Sequence, residues 1–427
     1  MSRNVKDQAA DIKRYSVNLA GSTEQERNRA LEAVKEALWE NRSIIFQENQ
    51  TDMDLGIQHG LSDPILKRLR FDESKLRSVL DGIEDLIRMS DPLGKTLLKR
   101  ELDTALTLEK ITCPIGVIGV IFESRPDALV QIAALCLKSG NCALMKGGSE
   151  AMRTNRILYR TIFEAACGCG IDPHFLTLLE SRSQIDELLE CEGSIDLLIP
   201  RGSNEFVSYI MEHTKIPVMG HASGICHVYV DKHANIKQAV AVVLDSKLQY
   251  VVVCNAAETI LVHERIASVF LPELIRELGN RTLEIRGDEA VAQIIPCVPA
   301  SEDDFGTEFA DRIASVKIVS STEEAAAHIN RYGSRHTDAI LTEDSDAAET
   351  FFALVDSASV MHNCSTRFAD GYRYGFGAEV GVSTGKLHAR GPVGLDGLTT
   401  YKYLVRGNGH IVAPYENGDK EFRFKNL

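Results

Sequence analysis

No run of eighteen apolar residues occurs anywhere in this chain, so a membrane-spanning helix is not expected. The first residues, Met1-Ser-Arg-Asn-Val-Lys-Asp-Gln, lack the apolar stretch that opens a secretory signal, and the cytosol is the expected compartment. Positive charge is scarce: 47 Lys and Arg stand against 61 Asp and Glu, a net charge of -14, with no basic stripe to offset it. That balance repels phosphate backbones and excludes nucleic acid as an expected partner. The ten cysteines form no regular framework and are expected to be mostly reduced. Cys167-Gly-Cys169 has no second Cys/His pair at zinc-finger spacing; it reads as a helix end, and no metal is assigned. Fixed-period repeats and low-complexity linkers are absent too.

What is present is a chain of 427 residues, 44% hydrophobic and 25% charged, which suits a packed fold of two domains. The N-terminal hundred residues read as helices, with a capping box at Thr23-x-x-Glu26 and Leu31, Val34 and Leu38 at helical spacing. From Pro114 the pattern changes to short apolar runs alternating with amphipathic stretches. Strands are expected at Val117 to Phe122, Cys142 to Met145, Phe175 to Leu179 and Leu197 to Ile199, with helices from Pro126 to Lys138 and up to Cys167. A second alternating series runs through Cys226 to Val230, a helix near Ala239, Glu258 to Val262, Val316 to Val319, a helix over Glu323 to Tyr332, and Ala339 to Leu341. Such alternation predicts parallel, helix-covered sheets in an α/β fold, with ligands at the C-terminal ends of the strands.

Two Gly-containing turns follow apolar strands and open helices, Lys146-Gly147-Gly148-Ser149 and Pro200-Arg201-Gly202-Ser203. Backbone N–H groups in such turns can approach a phosphate, and Lys146 adds a cation, although the strict GxGxxG spacing is missing and one such turn alone is often an ordinary loop. Cys254 follows Val251-Val252-Val253, and on pattern alone a cysteine there is a core residue more often than a nucleophile. Ser365-Thr366-Arg367 in a Gly-rich neighbourhood suits an anion-binding loop, with a bare surface loop as the alternative.

Taken together, these segments resemble the gamma-glutamyl phosphate reductases, a branch of the aldehyde dehydrogenase superfamily, through nearly the whole chain. The carriers are Val117-Ile-Gly-Val-Ile-Phe-Glu-Ser-Arg-Pro-Asp127, Lys138-Ser-Gly-Asn141, Lys146-Gly-Gly148, Asp196-Leu-Leu-Ile-Pro-Arg-Gly-Ser203, Gly224-Ile-Cys-His-Val-Tyr-Val-Asp231, Cys254-Asn-Ala-Ala-Glu-Thr259, Ser365-Thr-Arg-Phe368 and His388-Ala-Arg-Gly-Pro-Val-Gly394. The Glu-Ser-Arg-Pro-Asp form is similar to that of the bifunctional pyrroline-5-carboxylate synthases. The resemblance implies an aldehyde dehydrogenase-like layout with Rossmann-like parallel sheets. An NADPH-binding domain would span 1–98 and 114–228, a catalytic domain 229–399, an oligomerisation hairpin 99–113 and 400–414, and a tail 415–427.

It also implies the chemistry. Cys254 becomes the nucleophile that attacks glutamyl 5-phosphate to form a thioester, which is reduced to glutamate 5-semialdehyde for proline synthesis. Ser124, Arg125, Asn255, Ser365, Thr366 and Arg367 fall at oxyanion or substrate positions, and Lys146, Gly147, Gly148, Ser149, Arg201, Gly202, Ser203 and Glu308 at cofactor positions. The glutamate base of the hydrolytic aldehyde dehydrogenases aligns with Gly220-His-Ala-Ser223, where no carboxylate stands, so water would lack its activator. Their Lys-x-x-Glu at the adenosine ribose appears as Lys146-x-x-Ser149, which removes a charge that would repel a 2′-phosphate and favours NADPH. Relatives usually carry a Pro and small residues where this chain has Val251-Val252-Val253. The implied partners are the small-molecule substrate, further copies of the chain and a glutamate 5-kinase, since acyl phosphates are labile. An ordinary aldehyde dehydrogenase, another acyl-phosphate reductase, or a silent binding protein of the same fold are the competing readings.

Overall fold

The computed structural model describes residues 4–181, 183–221 and 223–427. Five helices open the chain: Val5–Ala20, Glu24–Glu40, Arg42–Gln58, Asp63–Leu69 and Glu73–Arg88. The expected capping box is formed at the second: the Thr23 hydroxyl accepts from the Glu26 N–H, and the Glu26 carboxylate accepts from the Thr23 N–H. Two donors that a helix start leaves unpaired are thereby satisfied. Leu31, Val34 and Leu38 form that helix's buried face.

A four-stranded parallel sheet follows, in the spatial order Leu176–Leu179, Cys142–Gly147, Val117–Phe122, Leu197–Arg201. Its two central strands are buried at every position, the continuous apolar run that a sheet covered on both faces requires. The helix Pro126–Lys138 between them starts on a proline, which costs nothing where the first-turn N–H groups are unpaired anyway. The chain turns away at Gly140, where φ is +69° and a Cβ would come within 2.8 Å of the Leu93 side chain; both demand glycine.

The second sheet has seven parallel strands, ordered Val298–Pro299, Glu284–Gly287, Ile313–Val319, Ala257–His263, Cys226–Val230, Thr337–Leu341, Ser359–His362. It begins at Cys226, just upstream of residue 228. Later the chain returns to the first core, because Ala378, Val380, Val393, Leu395 and Leu398 belong to the same buried cluster as the first sheet. A third, antiparallel sheet joins distant segments in the order Thr399–Arg406, Leu106–Pro114, Thr96–Asp103, Lys425–Asn426, with Thr400 opposite Cys113 and Tyr403 opposite Lys110. Among the described residues no helix is long and apolar enough to cross a membrane.

Candidate active site

The turns at Glu123, Lys146 and Arg201 lie where strands of the first sheet end, as α/β folds predict. Cys254 differs: it lies just before the strand Ala257–His263, so the second sheet offers its strand starts, not its strand ends. Arg201 nevertheless interacts electrostatically with Cys254, which brings the end of a first-sheet strand near the start of a second-sheet strand.

Val251 to Ala256 form turns and bends, with Val252 55% exposed, so the three valines are not the buried strand that their type suggests. Backbone contact holds Cys254 in place. A Cβ on Gly224 would come within 2.2 Å of the Cys254 carbonyl oxygen and 2.3 Å of its Cα, and the buried Cys226 thiol donates to that same oxygen at 3.1 Å. Burial holds the Cys226 thiol far above the usual thiol range, so Cys226 serves as a packing residue and not as a nucleophile.

Around the half-buried Cys254 stand groups that the sequence named and groups that it did not. The turn Ser365-Thr366-Arg367 docks on the end of the helix Ile236–Leu248: the Ser246 hydroxyl meets Ser365 Oγ at 3.2 Å and accepts from Thr366 N–H at 3.3 Å. Arg367 Nε donates to Gln249 Oε1 at 2.9 Å, which orients a guanidinium that interacts electrostatically with Cys254. Burial, then the neighbouring Arg373, lowers the Arg367 pKa, and the Cys254 thiolate opposes that shift. Asn255 is buried and gives its side-chain N–H to Ala369 O at 2.9 Å, so it ties the turn of Cys254 to the chain just after Arg367.

Arg201, expected at the cofactor, interacts with Arg125, Glu379 and Cys254; burial and then the Arg125 charge lower its pKa, and the two anionic groups raise it. These interactions put its charge near Cys254. Ser124, expected at the oxyanion, instead gives both its N–H and its hydroxyl to Glu150 Oε1, at 2.6 and 2.7 Å.

His221 and His336 were assigned no role from sequence, yet their ring nitrogens and the Cys254 sulfur lie within 4.8 Å of one another. His221 Nδ1 is 2.9 Å from Val382 O, and a carbonyl can only accept, so the proton sits on Nδ1 and the Nε2 lone pair is bare. Burial lowers the pKa of this imidazole and favours its neutral form. His221 stands in the segment aligned with the missing glutamate, which was the one sequence signal for it; nothing local to His336 marked it, since only the fold brings 221, 254 and 336 together.

The remaining expected residues gather at a cavity of about 570 Å³ lined by Phe122, Glu123, Lys146, Gly147, Gly148, Ser149, Glu150, Asp186, Phe206 and Tyr209. A Cβ on Gly147 would come within 2.3 Å of Asn155 Nδ2, and one on Gly148 within 2.0 Å of Glu150 Oε1, so a side chain at either position displaces its neighbours and narrows the cradle. Its size and its approachable backbone suit a dinucleotide. Gly202 and Ser203 border the cavity through Glu123, which accepts the Ser203 N–H at 3.3 Å. Glu308 accepts from Asn204 at 2.5 Å, bridging the second unit to the start of the helix Asn204–Glu212. Ser149 does not cap the long helix, which starts at Met152 with Ala151 at its N-cap and no side-chain cap bond.

The segment around Glu308 is fastened by a buried ion pair. Lys247 Nζ donates to Glu258 Oε2 at 2.5 Å, both residues are essentially inaccessible, and Glu258 Oε1 also accepts the Ala310 N–H at 3.2 Å. Burial raises the Glu258 pKa to about 7 and lowers that of Lys247. Lys247→Met leaves this carboxylate unpaired, and urea denaturation at pH 8 should show a loss on the order of 3 kcal/mol. The raised folded-state value means that the stability this carboxyl contributes is present below the ordinary 4.5 and lost as pH rises through about 7. The variant's deficit should therefore shrink at pH 6, where Glu258 takes a proton; an equal loss at both pH values contradicts the assignment.

Comparison with known proteins agrees with this layout. The aldehyde dehydrogenase family profile matches residues 17–304. The gamma-glutamyl phosphate reductase of Acetivibrio thermocellus is 53% identical over 424 residues, covering 99% of this chain and 98% of that protein. Among solved structures, the gamma-glutamyl phosphate reductase of Thermotoga maritima superposes with a TM-score of 0.93 at 37% identity, covering 96% of this chain and 100% of that one. An acetylating aldehyde dehydrogenase from Geobacillus thermoglucosidasius shares the fold, with a TM-score of 0.65 at 17% identity over 95% of this chain and 97% of that one.

Proposed function

The chain belongs to the aldehyde dehydrogenase family, in its gamma-glutamyl phosphate reductase branch, and on that premise we propose that it reduces L-glutamyl 5-phosphate to L-glutamate 5-semialdehyde through a thioester on Cys254. The observation that carries this reading is a cysteine flanked by Arg201 and Arg367, with a neutral histidine and no carboxylate where a hydrolytic enzyme keeps its base.

His221 Nε2 takes the thiol proton and the thiolate attacks the acyl carbon. Phosphate is a good leaving group, and the guanidinium groups of Arg367, Arg201 and Arg125 offset its charge and that of the substrate carboxylate. The family and fold imply a nicotinamide cofactor, which when bound supplies the hydride. The Cys254 backbone N–H and the polar groups of the 365–367 turn hold the oxyanion, and collapse of the tetrahedral adduct returns the thiolate. No carboxylate stands at residues 220–223, where a hydrolytic enzyme keeps its base, which favours release of the product by reduction over hydrolysis of the thioester. The reverse reaction tests this directly: pyrroline-5-carboxylate should reduce NADP+ only when inorganic phosphate is added. Reduction without phosphate would favour an ordinary aldehyde dehydrogenase.

Replacing Arg367 with Lys keeps the charge and loses the fork that Gln249 orients. The KM for glutamyl phosphate should rise about tenfold or kcat/KM fall as much, equivalent to one charge-assisted hydrogen bond, with NADPH affinity unchanged. A loss of cofactor affinity instead would move Arg367 to the other site.

We read NADPH as the preferred cofactor because Ser149 and Lys146 stand where a carboxylate would repel a 2′-phosphate. Ser149→Glu adds a fourth carboxylate to a cavity that already holds Glu123, Glu150 and Asp186. NADPH should lose roughly 1–3 kcal/mol more than NADH from like-charge repulsion. An unchanged ratio of the two specificity constants rejects this choice.

The antiparallel sheet exposes Tyr401, Tyr403 and Val405, which supports its reading as the contact between copies in a homo-oligomer. A glutamate 5-kinase is the proposed source of the labile acyl phosphate.

A further inference from the structure

We propose that Cys254, His221 and His336 also form a binding site for a borderline-soft divalent cation, zinc above all, and that occupancy of this site shuts the enzyme off reversibly. One thiolate and two imidazoles are a donor set that selects zinc over magnesium or calcium, which take oxygen ligands. The three donor atoms already lie within 4.8 Å of one another. A tetrahedral ion with bonds of about 2.3 Å to sulfur and about 2.0 Å to nitrogen brings such donors to roughly 3.3–3.6 Å, so small side-chain rotations complete the set.

Two independent features point to a ligand here. The outer partners that orient metal-binding histidines are in place: His221 Nδ1 donates to Val382 O at 2.9 Å, and His336 Nδ1 pairs with Thr337 Oγ1 at 2.8 Å. Each bond engages Nδ1 and leaves Nε2 as the candidate donor. The rings meet edge to face with centroids 5.0 Å apart, as two imidazoles converging on one point do. The second feature is His336 itself, which is 0% exposed and whose Nε2 has no hydrogen-bond partner among the described residues. A buried nitrogen left unsatisfied is unfavourable, and a cation would satisfy it. Three protein ligands leave the fourth position to water.

Nearby charges act in both directions. Arg201 and Arg367 oppose a dication at Cys254, while Glu379 favours it, since this carboxylate interacts with both Arg201 and His221. Binding forms a sulfur–metal bond and releases the thiol proton to solvent. The sulfur lone pair is then held by the metal and cannot attack an acyl carbon. Only this loss of turnover rests on Cys254 as the nucleophile; the binding itself does not.

Equilibrium dialysis of the reduced, chelator-treated full chain against zinc chloride tests the proposal. One equivalent should bind, magnesium should not compete, and Cys254→Ala and His221→Ala should each weaken zinc by at least about tenfold. His221 is partly accessible, so its truncation keeps the test valid even where loss of the buried His336 would disturb folding. Cobalt(II) should show the near-ultraviolet absorption of a sulfur–cobalt bond, absent in Cys254→Ala. In the wild type, zinc should abolish turnover and a chelator should restore it. No stoichiometric binding, or equal binding in wild type and both variants, overturns the site. An enzyme inactive with glutamyl phosphate but binding zinc at these residues would instead sink the proposed reaction and leave the metal site standing.

Discussion

Cys254→Ser should lower kcat by a factor on the order of 10⁴ or more with little change in cofactor affinity. A serine hydroxyl stays protonated where a thiol ionises, and it replaces the atom that forms the acyl bond. Cys254 is partly accessible and interacts electrostatically with two arginines. Cys167 and Cys169 lie at the end of the helix Met152–Gly168, far in sequence from these groups, and Cys167→Ser and Cys169→Ser should keep activity. A Cys254→Ser enzyme with near-normal turnover contradicts the assignment.

Gly224→Ala is expected to have the next largest effect, without touching any reacting group. The new methyl would overlap the Cys254 backbone, at 2.2 Å from O, 2.3 Å from Cα and 2.6 Å from C. Backbone cannot swing aside as a side chain can, so the nucleophile's turn must move by about 1 Å. Such a displacement costs about 10²-fold in rate, and overpacking costs about 1–3 kcal/mol of stability. Because the first sheet's cavity is not involved, the KM for NADPH should hold. Steady-state kinetics beside a thermal melt separates the two effects; a kcat within about twofold of wild type would show that the turn adapts.

Much of the fold was legible in the sequence because its strands are short continuous apolar runs set off by helices with clear starts, as at Thr23 and Pro126. In the second sheet the strands left unread, Glu284–Gly287, Val298–Pro299 and Ser359–His362, are short and lie at or near a sheet edge, and the first and last carry charged or polar residues in place of an apolar run. Strand order was not legible, since Ala257–His263 pairs with Ile313–Val319 across more than forty residues of intervening chain. At the site, local patterns pointed to the glycine turns and the 365–367 loop. For Cys254 the three valines argue toward a core position, whereas the resemblance implies a nucleophile. Arg201 reads as a cofactor residue because its turn resembles a phosphate loop, and its charge also acts on Cys254, which no local pattern shows. His336 carried no local signal, because its meaning comes from two residues more than eighty positions away.

The central claim is that an acyl group passes from phosphate to Cys254. Intact-mass measurement of the enzyme, quenched rapidly after mixing with glutamyl 5-phosphate in the absence of any nicotinamide cofactor, tests it most directly. The account predicts the addition of one glutamyl group per chain, located by peptide mapping on Cys254, removed by hydroxylamine and absent in Cys254→Ser. No adduct at any time, or an adduct on another residue, would contradict it.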